Sequence, residues 1–294
     1  MRLLFTLVLV ACGASGTSVV PRSPVSRTPE EQAAMPTCQG ELATLAESPP
    51  EREAQLRRLR RSFAECDAVV VTLATLLTEL RRPDEAIALL AERLREGGER
   101  ARFLPLLIDA HLRAGENEQA ELVCQQALHQ EPNRASTWNR CGLVDLAAGR
   151  IAIALQRFER AYTLDPEFVD AWINHGQVAL DHRDFEEAER LFAAAIEHQP
   201  DRYDALVERG IALRALGRLD EARFSYERAI SIAPSRPEAH YDLGLLYVEA
   251  PRDRMDLTRA LGHFQRFLEL APRELRAARD AARAQVERLQ ATLR

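Results

Sequence analysis

The sequence predicts an all-α protein, a right-handed α-solenoid of about six helical hairpins with a capping element at each end. Three sets of small or helix-ending residues recur at intervals of 34 residues. These sets are Gly142, Gly176, Gly210 and Gly244; Ala120, Ala154, Ala188 and Ala222; and Pro132, Pro166, Pro200 and Pro234. A fixed period of this length is typical of stacked hairpins, because one hairpin cannot bury its own apolar face.

Residues 135–168 show what one unit requires. Apolar and small side chains, Trp138 and Gly142 among them, recur three or four residues apart, which predicts a first helix with one packed face. A second helix carries Ala154 on its packed face, and the small residues at 142 and 154 indicate that the two helices cross closely. Pro166 cannot continue the second helix, so it ends the unit.

These residues and offsets resemble the tetratricopeptide repeat, whose pattern is Trp, Leu, Gly, Tyr, Ala, Phe or Tyr, Ala and Pro. The resemblance implies an array over residues 67–272, with units at 67–100 (degenerate), 101–134, 135–168, 169–202, 203–236 and 237–272. Ile108 replaces the glycine of the second unit, and four extra residues around Ala250-Pro251-Arg252-Asp253 lengthen the turn of the last. Residues 41–66 and 273–294 are predicted to form the N-terminal capping helices and the C-terminal capping helix.

The first residues predict an export signal. Met1-Arg2 precedes the apolar run 3–10, which is too short for a permanent bilayer span, so residues 1–11 are predicted to be a signal peptide. Leu9-Val10-Ala11-Cys12 resembles a bacterial lipobox, in which Cys12 receives the lipid; ordinary secretion is the alternative. Residues 12–40 then carry the lipid and a flexible tether rich in Ser, Thr and Pro. Gly13 in place of Asp favours the outer membrane, with the chain facing the periplasm.

Composition argues against nucleic-acid binding. The chain has 39 basic and 45 acidic residues, a net charge of −6, and no segment that combines clustered basic residues with aromatic ones. The expected membrane contact is through the N-terminal lipid alone.

Four cysteines remain after Cys12 is assigned to lipid. A bridge between Cys38 and Cys66 would close a loop of about 28 residues and contribute on the order of 3–4 kcal/mol in the chain-entropy model; two free thiols are the alternative. Cys124 and Cys141 fall on core positions of neighbouring repeats, and we expect them to be small buried hydrophobic residues without a bridge.

No motif of the sequence predicts catalysis. It contains no H-E-x-x-H, Cys-x-x-Cys, phosphate-binding glycine loop or G-x-S-x-G. His111 and His175 fall on packing positions of first helices, where a core imidazole is expected. The sequence therefore predicts a non-enzyme with no catalytic residue, metal or cofactor.

The resemblance also implies a concave groove lined by first-helix side chains. Four units contribute to it, and the matching positions are Asn139, Leu143, Leu146, Ile173, Gln177, Leu180, Val207, Ile211, Arg214, Tyr241, Leu245 and Val248. The strip is mainly apolar, and it lacks the Lys and Asn set with which chaperone-binding members hold a terminal carboxylate. The expected partner is a protein that presents an amphipathic helix or an extended apolar segment.

Together these features predict a lipid-anchored scaffold for an envelope machine. The chain resembles the pilotins of type IV pilus secretins and the tetratricopeptide lipoprotein of myxobacterial gliding. Two alternatives stay open: a regulator of a periplasmic cell-wall enzyme, and an accessory subunit of outer-membrane protein assembly.

Overall fold

The computed structural model describes residues 38–294, which form fifteen α-helices and no strand. The helices are α1 Cys38–Leu42, α2 Pro49–Ser62, α3 Asp67–Glu79, α4 Pro83–Arg95, α5 Arg100–Ala114, α6 Asn117–Gln130, α7 Ala135–Ala147, α8 Ile151–Leu164, α9 Val169–Asp181, α10 Phe185–His198, α11 Tyr203–Ala215, α12 Leu219–Ile232, α13 Glu238–Glu249, α14 Arg254–Leu270 and α15 Arg276–Leu293. The predicted signal peptide (1–11), the predicted lipidation site Cys12 and the predicted tether up to residue 37 lie outside the described residues.

The helices stack as six antiparallel hairpins, from α3–α4 to α13–α14. Each second helix packs on the first helix of the next hairpin, and each first helix also contacts the first helices before and after it. In residues 38–294 the second helices make no contact of similar extent with one another. The first helices therefore line the inner side of the curve, as the predicted α-solenoid requires.

Additional helices cover both ends of the stack. At the N-terminal end α1 and α2 pack against α3, and at the other end α15 covers α14. Helix α1 begins at Cys38, so the last three residues of the predicted tether are helical. Leu42 and Leu45 pack against the buried core formed by α2, α3 and their neighbours, which includes Leu56 and Leu73. No helix between residue 38 and the C-terminus has both the length and the apolarity to cross a bilayer.

The periodic glycines each lie against an aromatic ring of the second helix in the same hairpin. A Cβ atom at Gly142 would come within 2.5 Å of the Phe158 ring, and one at Gly176 within 2.8 Å of the Phe192 ring. Gly210 lies in the same way against Tyr226. The small residue in the first helix is thus needed for the ring at this crossing, and the buried Ala154 packs in the same cluster as Phe158.

The ends of the units also repeat. The indole N–H groups of Trp138 and Trp172 donate to the carbonyls of Pro132 and Pro166, at 2.8 and 3.1 Å. Each of these tryptophans is thereby fixed against the proline that ends the preceding unit.

The tight turn in five of the six hairpins contains a residue with positive φ. Gly115, Gly149 and Gly217 supply it in three hairpins, and Arg81 (φ 59°) and Arg183 (φ 63°) supply it in two others. In the last hairpin Asp253 caps α14 by accepting a hydrogen bond from the Asp256 N–H, at 3.0 Å. Helix α14 begins six residues before Ala260, against three in α12, so most of the four-residue insertion adds one turn to the second helix.

Replacing Gly176 by Ala should lower stability by about 1–3 kcal/mol, because the new methyl group overlaps the Phe192 ring. Gly262 is the matched control: it lies exposed in the interior of α14, with nothing within 4 Å of a Cβ. Gly262→Ala should therefore stabilise the protein by about 0.5–1 kcal/mol. Urea denaturation measures both changes, and an equal gain in the two variants would show that the ring contact imposes no constraint.

Candidate functional site: the concave groove

The predicted groove residues all lie on first helices, and none of the twelve is exposed. Ten are half-buried, which leaves part of each side chain for a ligand. Asn139 and Val207 are buried to 6% exposure, so they contribute to packing and offer little contact surface. The accessible surface is therefore formed by the remaining ten.

The groove continues into the two hairpins that match the repeat pattern less well. A cavity of about 380 Å³ opens between α3, α5 and α7, with Leu106, Leu112 and Leu143 among its lining residues. A second, of about 560 Å³, also borders Leu106 and extends to Arg140. The sequence did not indicate this extension, because Ile108 in place of glycine and the weak first unit obscured the register.

Polar side chains connect successive first helices along the groove. Arg140 on α7 contacts Asp109 on α5 at 3.1 Å, and the Asn174 amide on α9 donates to Asn139 on α7 at 2.8 Å. Arg214 on α11 pairs with Glu249 on α13 at 2.7 Å. The groove is therefore an apolar surface interrupted by interhelical polar contacts, which also accounts for the burial of Asn139.

Glu208 stands in this series on α11, facing the groove with α9 beside it. When the Gln177 amide is oriented with its nitrogen toward Glu208, it donates to both carboxylate oxygens at 3.2 Å. Burial, followed by the neighbouring carboxylates of Asp242 and Asp204, raises the pKa of Glu208 to about 7. No basic side chain of the described residues forms an ion pair with Glu208. The carboxylate is consequently a destabilising charge at neutral pH.

Asp242 holds the corresponding position one repeat later, on α13. Burial raises the pKa of Asp242 to about 6; the Arg214 guanidinium opposes that shift, and the carboxylates of Glu238 and Glu249 add to it. Within residues 38–294 Asp242 has no ion pair either. Sequence reasoning missed Glu208 and Asp242, because each immediately follows a groove position, Val207 or Tyr241, and looks like an exposed charge.

The hydroxyl of Tyr226 lies beside this acidic region. Its ring packs on Gly210, the side chain is 0% exposed, and the hydroxyl has no hydrogen-bond partner in the described part of the chain. Arg214 and Asp242 both act electrostatically on that hydroxyl, and burial strongly raises the Tyr226 pKa. The hydroxyl is thus neutral, buried and unsatisfied.

The four remaining cysteines form two disulfides. Cys38 is bonded to Cys66, with 6.6 Å between their Cα atoms. Cys124 is bonded to Cys141, with 5.6 Å between Cα atoms, so the expectation that this pair would stay unbridged was wrong. Both are fully buried, as expected, but α6 and α7 pack closely enough across the repeat boundary to bring the two sulfurs together.

Six of the seven histidines make structural contacts. His111 pairs with Glu116 at 2.7 Å, and the Tyr162 hydroxyl lies 3.4 Å from Nδ1 of His175. Nδ1 of His240 is 3.1 Å from Nδ1 of His263. Residues 38–294 contain no group of three or more side chains arranged to hold a metal ion.

Glu208→Gln should raise the melting temperature at pH 8. The raised pKa means that folding favours the protonated carboxyl. The contribution of this group to the free energy of unfolding is fully present below pH 4.5 and is lost as the pH rises through about 7. The increase in melting temperature caused by Glu208→Gln should therefore fall toward zero as the pH is lowered from 8 to 4.5. Glu197→Gln, on an exposed glutamate of α10, is the control and should leave the melting temperature at pH 8 unchanged. Identical melting curves for Glu208→Gln and the parent chain at pH 8 would contradict the burial argument.

Solved structures share this architecture. A tetratricopeptide repeat protein from Parabacteroides merdae covers 82% of the chain at 16% identity, with a TM-score of 0.56. PilF from Pseudomonas aeruginosa covers 63% of the chain and 90% of its own length at 17% identity, with a TM-score of 0.52. At these identities the likeness establishes the fold alone.

Sequence comparison gives the family. The CTR9 homolog of Arabidopsis thaliana is 31% identical over 139 residues, which are 47% of this chain and 13% of that protein. The chain spans no more than about a third of the length of the first curated relatives it matches. The tetratricopeptide repeat pattern matches residues 71–135, 142–182 and 173–237, more than half of the chain. The chain therefore belongs to the tetratricopeptide repeat family, whose repeats bind other proteins and are typically non-catalytic.

Proposed function

We propose that this protein is a non-enzymatic scaffold that holds a helical or extended apolar segment of a partner protein in its concave groove. The observation that carries the proposal is the continuous inner face of six first helices. Half-buried apolar side chains line it, and two open cavities lie at its N-terminal end. Such a surface gains binding free energy by burying apolar side chains of a ligand, at roughly 25 cal/mol per Å².

The proposal includes an envelope location, with Cys12 lipidated in the outer membrane and the repeats in the periplasm. Two observations support it: the Leu9-Val10-Ala11-Cys12 sequence, and the two disulfides, which persist in oxidising compartments. Within the envelope we favour assembly of a gliding machine or of a type IV pilus secretin, on the sequence resemblance described above. The PilF likeness adds only a shared fold.

Two other functions use the same groove. A regulator of a periplasmic cell-wall enzyme and an accessory subunit of outer-membrane protein assembly would both bind a protein segment without catalysis. Neighbouring genes distinguish them, because motility or pilus genes, cell-wall synthases and barrel-assembly genes each favour one function.

Cys12→Ser should abolish lipid attachment and release the protein from the membrane. Several acyl chains anchor a protein stably, since each buried methylene contributes roughly 0.8 kcal/mol. Metabolic labelling with radioactive palmitate and fractionation of the envelope measure the two effects. Label retained in Cys12→Ser would exclude lipidation at this residue.

A photocrosslinking amino acid at Leu180 should capture the partner, whereas one at Leu122 should not. Leu180 is a half-buried groove position on α9, and Leu122 is a 66% exposed apolar residue on second helix α6, outside the groove. Crosslinking in living cells followed by mass spectrometry identifies each adduct. The same adduct from both positions, or an adduct from Leu122 alone, would contradict binding through the groove.

A further inference from the structure

The polar side chains at equivalent positions of the first helices are bonded to the preceding first helix at the start of the groove but lack an ion pair toward its C-terminal end. Arg140 and Asn174 occupy equivalent positions on α7 and α9, and each is satisfied by the preceding first helix, through Asp109 and Asn139. The next two equivalent positions are Glu208 on α11 and Asp242 on α13. Neither forms an ion pair with a basic side chain of the described residues, although most of the surrounding charges are paired.

The neighbouring carboxylates already have cations. Arg236 pairs with Asp204 at 2.8 Å, and Arg214 pairs with Glu249 at 2.7 Å. Arg214 also acts on Asp242, so this one guanidinium faces two carboxylates, while Glu208 has no cation of its own. What remains is an excess of negative charge on the inner face, held in partly buried positions where a cation would interact strongly.

A second observation is independent of those charges. The Tyr226 hydroxyl is fully buried next to Asp242 and the Arg214 guanidinium, and it makes no hydrogen bond of normal geometry within residues 38–294, which costs folding free energy. A buried polar group that stays unsatisfied in the free protein indicates a site that is completed by something bound there.

We propose that Glu208, Asp242 and the Tyr226 hydroxyl form an acidic notch that receives an Arg or Lys side chain from the partner segment. This inference rests on the proposed function, because it names the chemistry of the segment that the same groove holds. Half-buried Ile211 and Leu245 lie beside the notch, on the same two helices. The ligand is therefore a cationic amphipathic helix, with apolar residues three or four positions from its basic residue.

Charge favours a partner over a second copy of the chain. The chain carries a net charge of −6, so two copies repel one another at an acidic surface, whereas a basic segment is attracted to it. A cation from the partner also relieves the repulsion between the two carboxylates, which no apolar segment can do.

The test is selection of a displayed library of random 18-residue peptides on the full chain and on its Glu208→Gln/Asp242→Asn variant. The substitutions preserve side-chain shape and remove buried charge, so the variant should fold at least as well, as melting curves would verify. Peptides enriched on the parent chain should contain a basic residue flanked by apolar ones. On the variant the basic residue should no longer be enriched.

Affinities of one selected peptide complete the test. The Kd of this peptide should be about tenfold higher for the Glu208→Gln/Asp242→Asn variant than for the parent chain. A peptide in which the basic residue is replaced by Gln should bind both proteins equally weakly, since the basic residue and the carboxylates act as one pair. Glu197→Gln, on an exposed glutamate outside the groove, should leave the Kd unchanged.

Other outcomes separate the two proposals. Enriched peptides without a basic residue would overturn the acidic notch and leave groove binding intact. Selected peptides whose binding survives Ile211→Ser/Leu245→Ser would overturn the groove itself.

Sedimentation showing a dimer that Glu208→Gln/Asp242→Asn dissociates would assign the notch to a second copy. The predicted tether carries two basic residues, Arg22 and Arg27. Tighter peptide binding in Arg22→Gln/Arg27→Gln would assign the notch to this segment of the protein itself.

Discussion

The close contact between a glycine and an aromatic ring inside each of the last four hairpins sets the spacing of their two helices. Phe158, Phe192 and Tyr226 are fully buried, and each lies against a glycine of the first helix, where a methyl group has no space. Because the same pair recurs every 34 residues, consecutive hairpins have the same internal spacing. Hairpins with the same internal geometry stack with the same rotation, and this regularity places the first helices on one face.

The groove follows from this regularity, but its chemistry does not. Equivalent positions on successive first helices carry Arg140, Asn174, Glu208 and Asp242, so the same place holds a positive, a neutral and two negative side chains. The scaffold thus holds the backbone positions constant, while single side chains decide what each segment of the groove attracts. The first two bond to the preceding first helix, whereas neither of the last two forms an ion pair within residues 38–294.

The repeat was predictable from the sequence because it depends on residue type at fixed intervals. A glycine such as Gly176 inside a helical pattern costs stability, so its recurrence indicates a packing requirement. The same information located the twelve groove positions on the first helices. It could not show that Val207 is buried while Ile211 is half-buried, because the exposure of each side chain depends on how closely the neighbouring helices pack against it. Nor could it show the bond between Cys124 and Cys141, since the distance between neighbouring repeats is a tertiary property.

The bond between Cys124 and Cys141 has a mechanical consequence. In a linear stack each hairpin is held only by its neighbours, so pulling on the two ends would peel hairpins away one after another. This bond spans a sequence separation of 17 residues and joins helices of adjacent hairpins. While it is intact, the chain between those two cysteines cannot lengthen under tension, and a reducing agent would restore that extra length.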